Sequence, residues 1–403
     1  MKYPFILILL VTISAKGQDL QDYQQQAIEN NPGLLAKYKV FEASLTKVHQ
    51  VNSLPDPTLS FGYFISPVET RVGPQNARFS LSQMFPWFGT LKAQGDVAAL
   101  SAEAIYQQFV EEQNRTRFLV AKAYYPLLEL EATLGIQREN LELLEAWKRL
   151  ATIQFENGKT SLVDVLRVDL MIKELETELS LLSEEKRPLT VTFNRLLNRA
   201  DTLAVTLSDS SPLERFSNFN ANWANHPRVL ELNKRIEAKQ KHLSVIEKQG
   251  LPKIGAGLDY MLVGERTDVN IPDNGKNAFM PMVTMSIPIF RRKYDEAHHE
   301  TELNIEGYQF SLVAIENELS TKYENLKYQM EREQQLLNLY RIQIEETQQI
   351  QNLLFTGFSE SGNDLDELLR IQMQLLAYEI KQVKSEKRLK TVAANMNYLL
   401  ARQ

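Results

Sequence analysis

The chain has 403 residues, with 45 Lys plus Arg against 51 Asp plus Glu, a formal charge of −6, and no cysteine. That balance argues against a general nucleic-acid binder, which needs a basic face. The lack of cysteine excludes a disulfide framework, structural thiolate zinc sites and an acylated N-terminal cysteine.

Residues 1–17 read as a secretory leader, with Lys2, an apolar run from Phe5 to Ile13, and Ala15-Lys16-Gly17 as a small-x-small cleavage site. The rest of the chain holds no apolar run near the ~18 residues of a membrane helix, so any spanning falls to strands. Residues 18–200 then read as a helix, a β-hairpin over about 57–86, and long helices over about 90–155 and 162–198. A linker follows at 201–225. Residues 226–403 repeat the plan, with a helix, a hairpin over about 252–290, and helices over about 292–355 and 363–402. Asn31-Pro32 and His226-Pro227 open the two passes, and Pro57-Thr58-Leu59-Ser60-Phe61-Gly62 corresponds to Pro252-Lys253-Ile254-Gly255-Ala256-Gly257. Asp164-Val165-Leu166-Arg167 is answered by Glu367-Leu368-Leu369-Arg370, and Asn194-Arg195-Leu196-Leu197 by Asn397-Tyr398-Leu399-Leu400. Motifs duplicated in one order mark an internal twofold repeat.

The long helices carry a coiled-coil beat. Leu312, Ile315, Leu319, Tyr323, Leu326 and Met330 follow one another at steps of three or four. Leu175, Leu179, Leu182, Leu189, Phe193 and Leu196 do the same, with Lys186 interrupting. The wide polar faces are either solvated or line a water-filled interior. The hairpins alternate instead. Leu59, Phe61, Tyr63 and Ile65 oppose Thr58, Ser60 and Gly62, and Phe79, Leu81 and Phe85 oppose Arg78, Ser80 and Ser82. Lys253–Val263 and Ala278–Ile289 continue the pattern, and this register puts Met84, Met261, Met280 and Met282 on the polar face. A soluble hairpin alternates in the same way, but the leader and the missing core helices favour transmembrane strands. Pro281 removes a ladder donor and predicts a bulge or an edge. Four strands cannot close a barrel, for which about eight are the minimum, so several copies must pool their strands. The fold class is therefore a mixed α and β membrane protein, with four transmembrane β-strands per chain and coiled-coil-like helices.

In this order these features resemble the TolC-like outer-membrane efflux proteins, over essentially the whole chain after the leader. The carrying motifs are Gln83-Met84-Phe85-Pro86-Trp87-Phe88-Gly89, the turn Phe155-Glu156-Asn157-Gly158 before Val163-Asp164-Val165-Leu166, and the closing Asn-x-Leu-Leu of each half. Phe85-Pro86-Trp87-Phe88-Gly89 looks most like the heavy-metal and cation efflux branch. The resemblance implies a homotrimer with a 12-stranded β-barrel in the outer membrane of a Gram-negative bacterium. A helical α-barrel would extend into the periplasm. It further implies a periplasmic adaptor and an inner-membrane pump as partners, outer-membrane lipid around the strands, and hairpin loops at Ser66–Gln75 and Gly264–Lys276 outside the cell. Pro86 and Pro288 would make the strand-to-helix turns. The helical turns at about 155–164 and 355–367 would form a closable tip, with Asp164, Asp364, Asp366 and Glu367 as its acidic set. Arg167 and Arg370, where a further acidic residue would sit in the family, point to salt bridges within the tip. Helix capping is the other reading of Asp364, Asp366 and Glu367.

No catalytic constellation or cofactor motif appears, and the chain reads as a non-enzyme. Of the five histidines, His49, His226, His242, His298 and His299, the adjacent last two diverge by about 100° on a helix and do not make a metal pair. The polar-face methionines Met84, Met261, Met280 and Met282, which would face the lumen, read as filler or as a soft thioether path. The function expected is a passive exit duct carrying small solutes, heavy-metal cations among them, from a pump to the outside. The alternatives are a type I secretion channel with the same fold and a periplasmic coiled-coil adaptor or structural protein.

Overall fold

A computed structural model of the chain describes residues 19–208, 222–268, 270–361 and 365–402. The expected leader, most of the linker, and Asp364 lie outside the described residues. The elements run α1 (Leu20–Asn30), α2 (Pro32–Asn52), β1 (Thr58–Val68), β2 (Gln75–Phe85), α3 (Thr90–Glu156) and α4 (Leu162–Leu196). They continue with a short 3-10 turn at Trp223–Asn225, α5 (Pro227–Gln249), β3 (Lys253–Val263), β4 (Ala278–Ser286), α6 (Arg292–Ser361) and α7 (Leu365–Leu399). Among the described residues no helix is long and apolar enough to cross a membrane.

The chain divides into two compact units. One comprises Lys37–Val110 and Ala224–Asn317 and holds the sheet. Its four strands are antiparallel and lie in chain order, so β1 and β4 are the edges. Phe61 pairs with Phe79, Phe79 with Tyr260, and Tyr260 with Phe279, which draws one aromatic row across all four strands. This face is bare in the single chain: Leu59, Phe61 and Tyr63 are each more than 60% exposed. Ser60, Ser80, Asp259 and Met280 form a cross-strand row on the other face, and Met84, Met261 and Met282 share that face through their own register positions. Pro281 opposite Leu258 sits on edge strand β4 with unbroken register, so the edge is found and no bulge is. Register shifts fall instead near Val68 and Gln75, where β1 and β2 run on past the expected ends. In contrast, β4 stops at Ser286, three residues short of expectation. Pro288 has no N–H to extend the ladder, whose last pair is Lys253–Ser286.

The other unit comprises Met1–Ala36, Glu111–Trp223 and Glu318–Gln403. The heptad stripes form its interior, with Leu319, Leu326 and Met330 of α6 and Leu175 and Phe193 of α4 all buried. One cluster gathers Tyr23, Tyr124 and Phe193, with Tyr23 edge-on to Phe193 at 5.0 Å between ring centroids. The hydroxyls of Tyr23 and Tyr124 accept from the N–H groups of Thr206 and Ser208 at 2.9 and 2.7 Å, which ties the start of the linker to the helices. A second cluster joins Leu144, Trp147, Ala151, Val168, Ile172, Phe358, Leu365 and Leu368. It also corrects an expected boundary. The helix read as ending near 355 continues to Ser361, because Phe358 is fully buried in that cluster and Gly357 does not adopt positive φ.

Candidate functional site: the paired helical turns

The ends of α3 and α4 lie next to those of α6 and α7. Helices α3 and α4 are joined by a glycine turn. Gly158 takes φ +70, and the N–H groups of Gly158 and Lys159 donate to the carbonyls of Phe155 and Gln154 at 2.9 and 2.8 Å. This closes the exposed carbonyls of α3 in the manner of a left-handed C-terminal cap. Helix α4 restarts at once. Ser161 caps it, its hydroxyl oxygen accepting from Asp164 N–H at 3.2 Å while Asp164 reaches back to Ser161 N–H. This is the reciprocal capping box that Ser-x-x-Asp makes possible.

Helix α6 runs to Ser361 and α7 begins at Leu365, so both helices reach into the span of about 355–367 expected as a turn; residues 362–364 lie outside the described residues. Residues from the two halves meet here. Gln154 donates to the Ser359 carbonyl at 3.1 Å, and Lys159 to that of Glu360 at 3.4 Å. Arg167 forms an ion pair with Asp366 across the halves and lies 4.0 Å from Asp164. Arg370 turns instead to Glu367 on its own helix, donating from Nε at 3.0 Å. Partial burial pushes the Asp164 carboxyl up. The hydroxyls of Ser161 and Thr160, the Ser161 N–H and Arg167 together outweigh it, so Asp164 ionises below the ordinary aspartate value. The hydrogen bond from Arg370, more than burial, sets Glu367, whose carboxyl also ionises below its usual range.

The structure therefore gathers Asp164, Arg167 and Asp366 into one group and leaves Glu367 with Arg370 as a separate exposed pair. Asp366 and Glu367 also lie in the first turn of α7, where negative charge complements the helix dipole. Pro86 lies between β2 and α3, and Pro288 between β4 and α6.

Three polar features along the long helices were not read from the sequence. Asp169 of α4 accepts from Lys148 of α3 and, at 2.7 Å, from Lys173, at the edge of a groove of about 660 Å³ lined also by Glu145, Arg149 and Glu176. The Lys148 and Lys173 ammonium groups hold its carboxyl down at about 2. Only the Asp169–Lys173 spacing of four was visible as a helix pair; Lys148 arrives through tertiary packing. The second feature is a buried amide relay. Gln372 donates to Asn140 at 2.8 Å and accepts from Gln351. The third is a buried acid, Glu333, which accepts from Ser385 at 2.7 Å. Polar groups inside a helical interior fix which helices pair, and in what register. Among the described residues no group of three or more His, Asp or Glu side chains is arranged to hold a metal ion.

No family model and no curated protein matches this sequence. Solved structures do. The outer-membrane channel OprN aligns at TM-score 0.73 and 16% identity, covering 95% of this chain and 90% of that one. The outer membrane protein VceC from Vibrio cholerae aligns at 0.73 and 14%, covering 95% and 96%. CusC, whose structures describe folding and transmembrane channel formation, aligns at 0.72 and 14%, covering 96% and 92%.

Proposed function

From the premise that this chain has the fold of TolC-like outer-membrane channels, we propose that it is a passive exit duct of the bacterial outer membrane, extending into the periplasm. The observation that carries this reading is the open antiparallel sheet with its bare aromatic face, on a chain that aligns to such channels over almost its full length. Water on that face and on the unpaired edges β1 and β4 is a cost that lipid and neighbouring copies remove. Three copies would give a 12-stranded barrel. The element order of residues 18–200 and 226–403 supports the twofold repeat that such an assembly uses.

In this role the chain carries out no chemistry. Small solutes, heavy-metal cations among them, would be delivered by an inner-membrane pump through a periplasmic adaptor, and the paired helical turns would act as the closable end. The Arg167–Asp366 pair is the tie between halves at that end, and its threefold repetition would make it a latch. Each such exposed pair contributes about 0.2–1 kcal/mol, so three together are breakable by a docking partner.

Reconstitution in planar bilayers tests both claims. Wild type should show small, rarely open conductance steps, and Arg167→Ala should raise open probability at neutral pH. Arg370→Ala, which breaks a pair within one helix, should change it less. Absence of any conductance from detergent-purified, folded protein would overturn the duct. Equal behaviour of Arg167→Ala and wild type would move the gate elsewhere.

A further inference from the structure

At the helical end of the sheet, apolar side chains continue past the point where strand pairing stops. Phe85, Ile254 and Met285 make the last apolar cross-strand row, and the ladder ends one pair later. Beyond it Phe88 is 80% exposed, Ile289 77% and Phe290 83%. Ile287 and Ile289 carry on the alternation of Val283 and Met285, so the apolar face outlasts its own hydrogen bonds. No strand partner remains there for those side chains to pack against.

Both turns converge on the end of α5. Lys248 Cε approaches Gly89, 3.4 Å from where a Cβ would sit, and Arg291 donates to the Gly250 carbonyl at 3.4 Å. Phe88 and Phe290, one residue away in each turn, therefore flank the same short segment. Cations gather around these two turns: Lys248, Arg291, Arg292 and Lys293, whereas Lys253 lies on the polar face of β3 with Asp259 and Met261. Asp56, Glu247, Asp295 and Glu296 are the neighbouring acids, and Glu296 reaches Arg292 at 3.5 Å. Rings and branched aliphatics exposed beside fixed cations are the composition that settles at a membrane surface.

We propose that this collar binds anionic phospholipid headgroups. Phe88, Ile289 and Phe290 enter the boundary between headgroups and acyl chains, while Lys248, Arg291, Arg292 and Lys293 take the phosphates. The inference rests on the outer-membrane reading above. The consecutive cations Arg291, Arg292 and Lys293 are complementary to phosphate.

Trp87 supplies a reporter, its ring 6.0 Å from that of Phe88. The other tryptophans, Trp147 and Trp223, are buried at 3% and 9% exposure and out of reach of lipid. Full-length protein in detergent is titrated with spin-labelled phosphatidylglycerol or phosphatidylcholine, with Trp87→Phe as the control. Phosphatidylglycerol labelled near the headgroup should quench Trp87 at lower concentration than phosphatidylcholine does, and a label deep in the acyl chain should quench weakly. In Arg291→Gln/Arg292→Gln/Lys293→Gln the half-quenching concentration of phosphatidylglycerol should rise roughly tenfold. If the protein conducts yet Trp87 is unquenched by every label, a neighbouring copy covers the collar; the inference falls and the duct stands. An unchanged titration in the triple variant also overturns it. If the protein neither inserts nor conducts, the outer-membrane reading fails first.

Discussion

Arg78 and Asp259 are the charged residues whose removal tells most about the sheet. Asp259 is fully buried on the polar face, paired with Arg78, and accepts no further hydrogen bond among the described residues. Arg78 is 42% exposed in its side chain and also donates to the Met282 sulfur at 3.9 Å, so one guanidinium spans β2, β3 and β4. The two substitutions should be unequal. Arg78→Gln leaves a buried carboxylate without its cation and should cost about 3 kcal/mol, whereas Asp259→Asn leaves a cation that solvent can rehydrate and should cost about 1 kcal/mol. The double variant should recover most of the larger loss in a urea-unfolding cycle in detergent. Additive losses would show that the residues do not act as a pair. Alternation put Arg78 on the polar face, but nothing in one strand's sequence named Asp259 as its partner. The partner sits on β3, diagonally across a ladder that only the fold assembles.

Asp169 makes the corresponding test in the helices. Its carboxyl is held at about 2 in the folded chain, chiefly by the Lys148 hydrogen bond and then by Lys173, against an ordinary value of 3.8. A depressed folded value means the stabilisation is fully present above pH 4 and disappears as pH falls through about 2. Thermal melts of wild type and Asp169→Asn should therefore differ above pH 4 and converge below about pH 2. Curves separated by the same interval at every pH would remove the bridge from the account.

Between elements, caps decide where helices end. The pattern Phe-x-x-Gly near 155 and Phe-x-Gly-Phe near 355 look alike in sequence, yet only the first stops a helix. Gly158 is in open space and takes the left-handed conformation, while Phe358 is held in the core and Gly357 stays helical at a cost of about 1 kcal/mol. Periodicity therefore read the long helices well and misplaced one end by six residues, because a buried aromatic outweighed a local breaker. Two substitutions test the first cap. Ser161→Ala should lose about 1 kcal/mol with the capping box. Gly158→Ala meets no steric obstacle, so its loss of about 1–2 kcal/mol would be backbone strain alone. A Gly158→Ala protein as stable as wild type would mean that the turn relaxes to another conformation.

For the molecule as a whole, strand number and strand direction decide whether the proposed assembly can close. Four antiparallel strands in chain order leave β1 and β4 running in opposite directions at the two edges. When β4 of one copy meets β1 of the next, the antiparallel alternation continues without a break, which an odd number of strands would not allow. In the proposed barrel the aromatic rows would run round a closed surface, and the polar rows of Arg78, Asp259 and the methionines would line its interior. Because the chain has no cysteine, the seam can be probed without background. Ser60→Cys on β1 combined in turn with Cys at Met280, Met282 or Thr284 on β4 places thiols on one face at several registers. At least one combination should give disulfide-linked dimers and trimers on oxidation in membranes, with nothing larger, since a ring of three has no free edge to extend. A ladder of bands beyond three would indicate an open filament or a larger ring. No linkage at any register would mean that β1 and β4 do not meet, and the twelve-stranded barrel would fall with them.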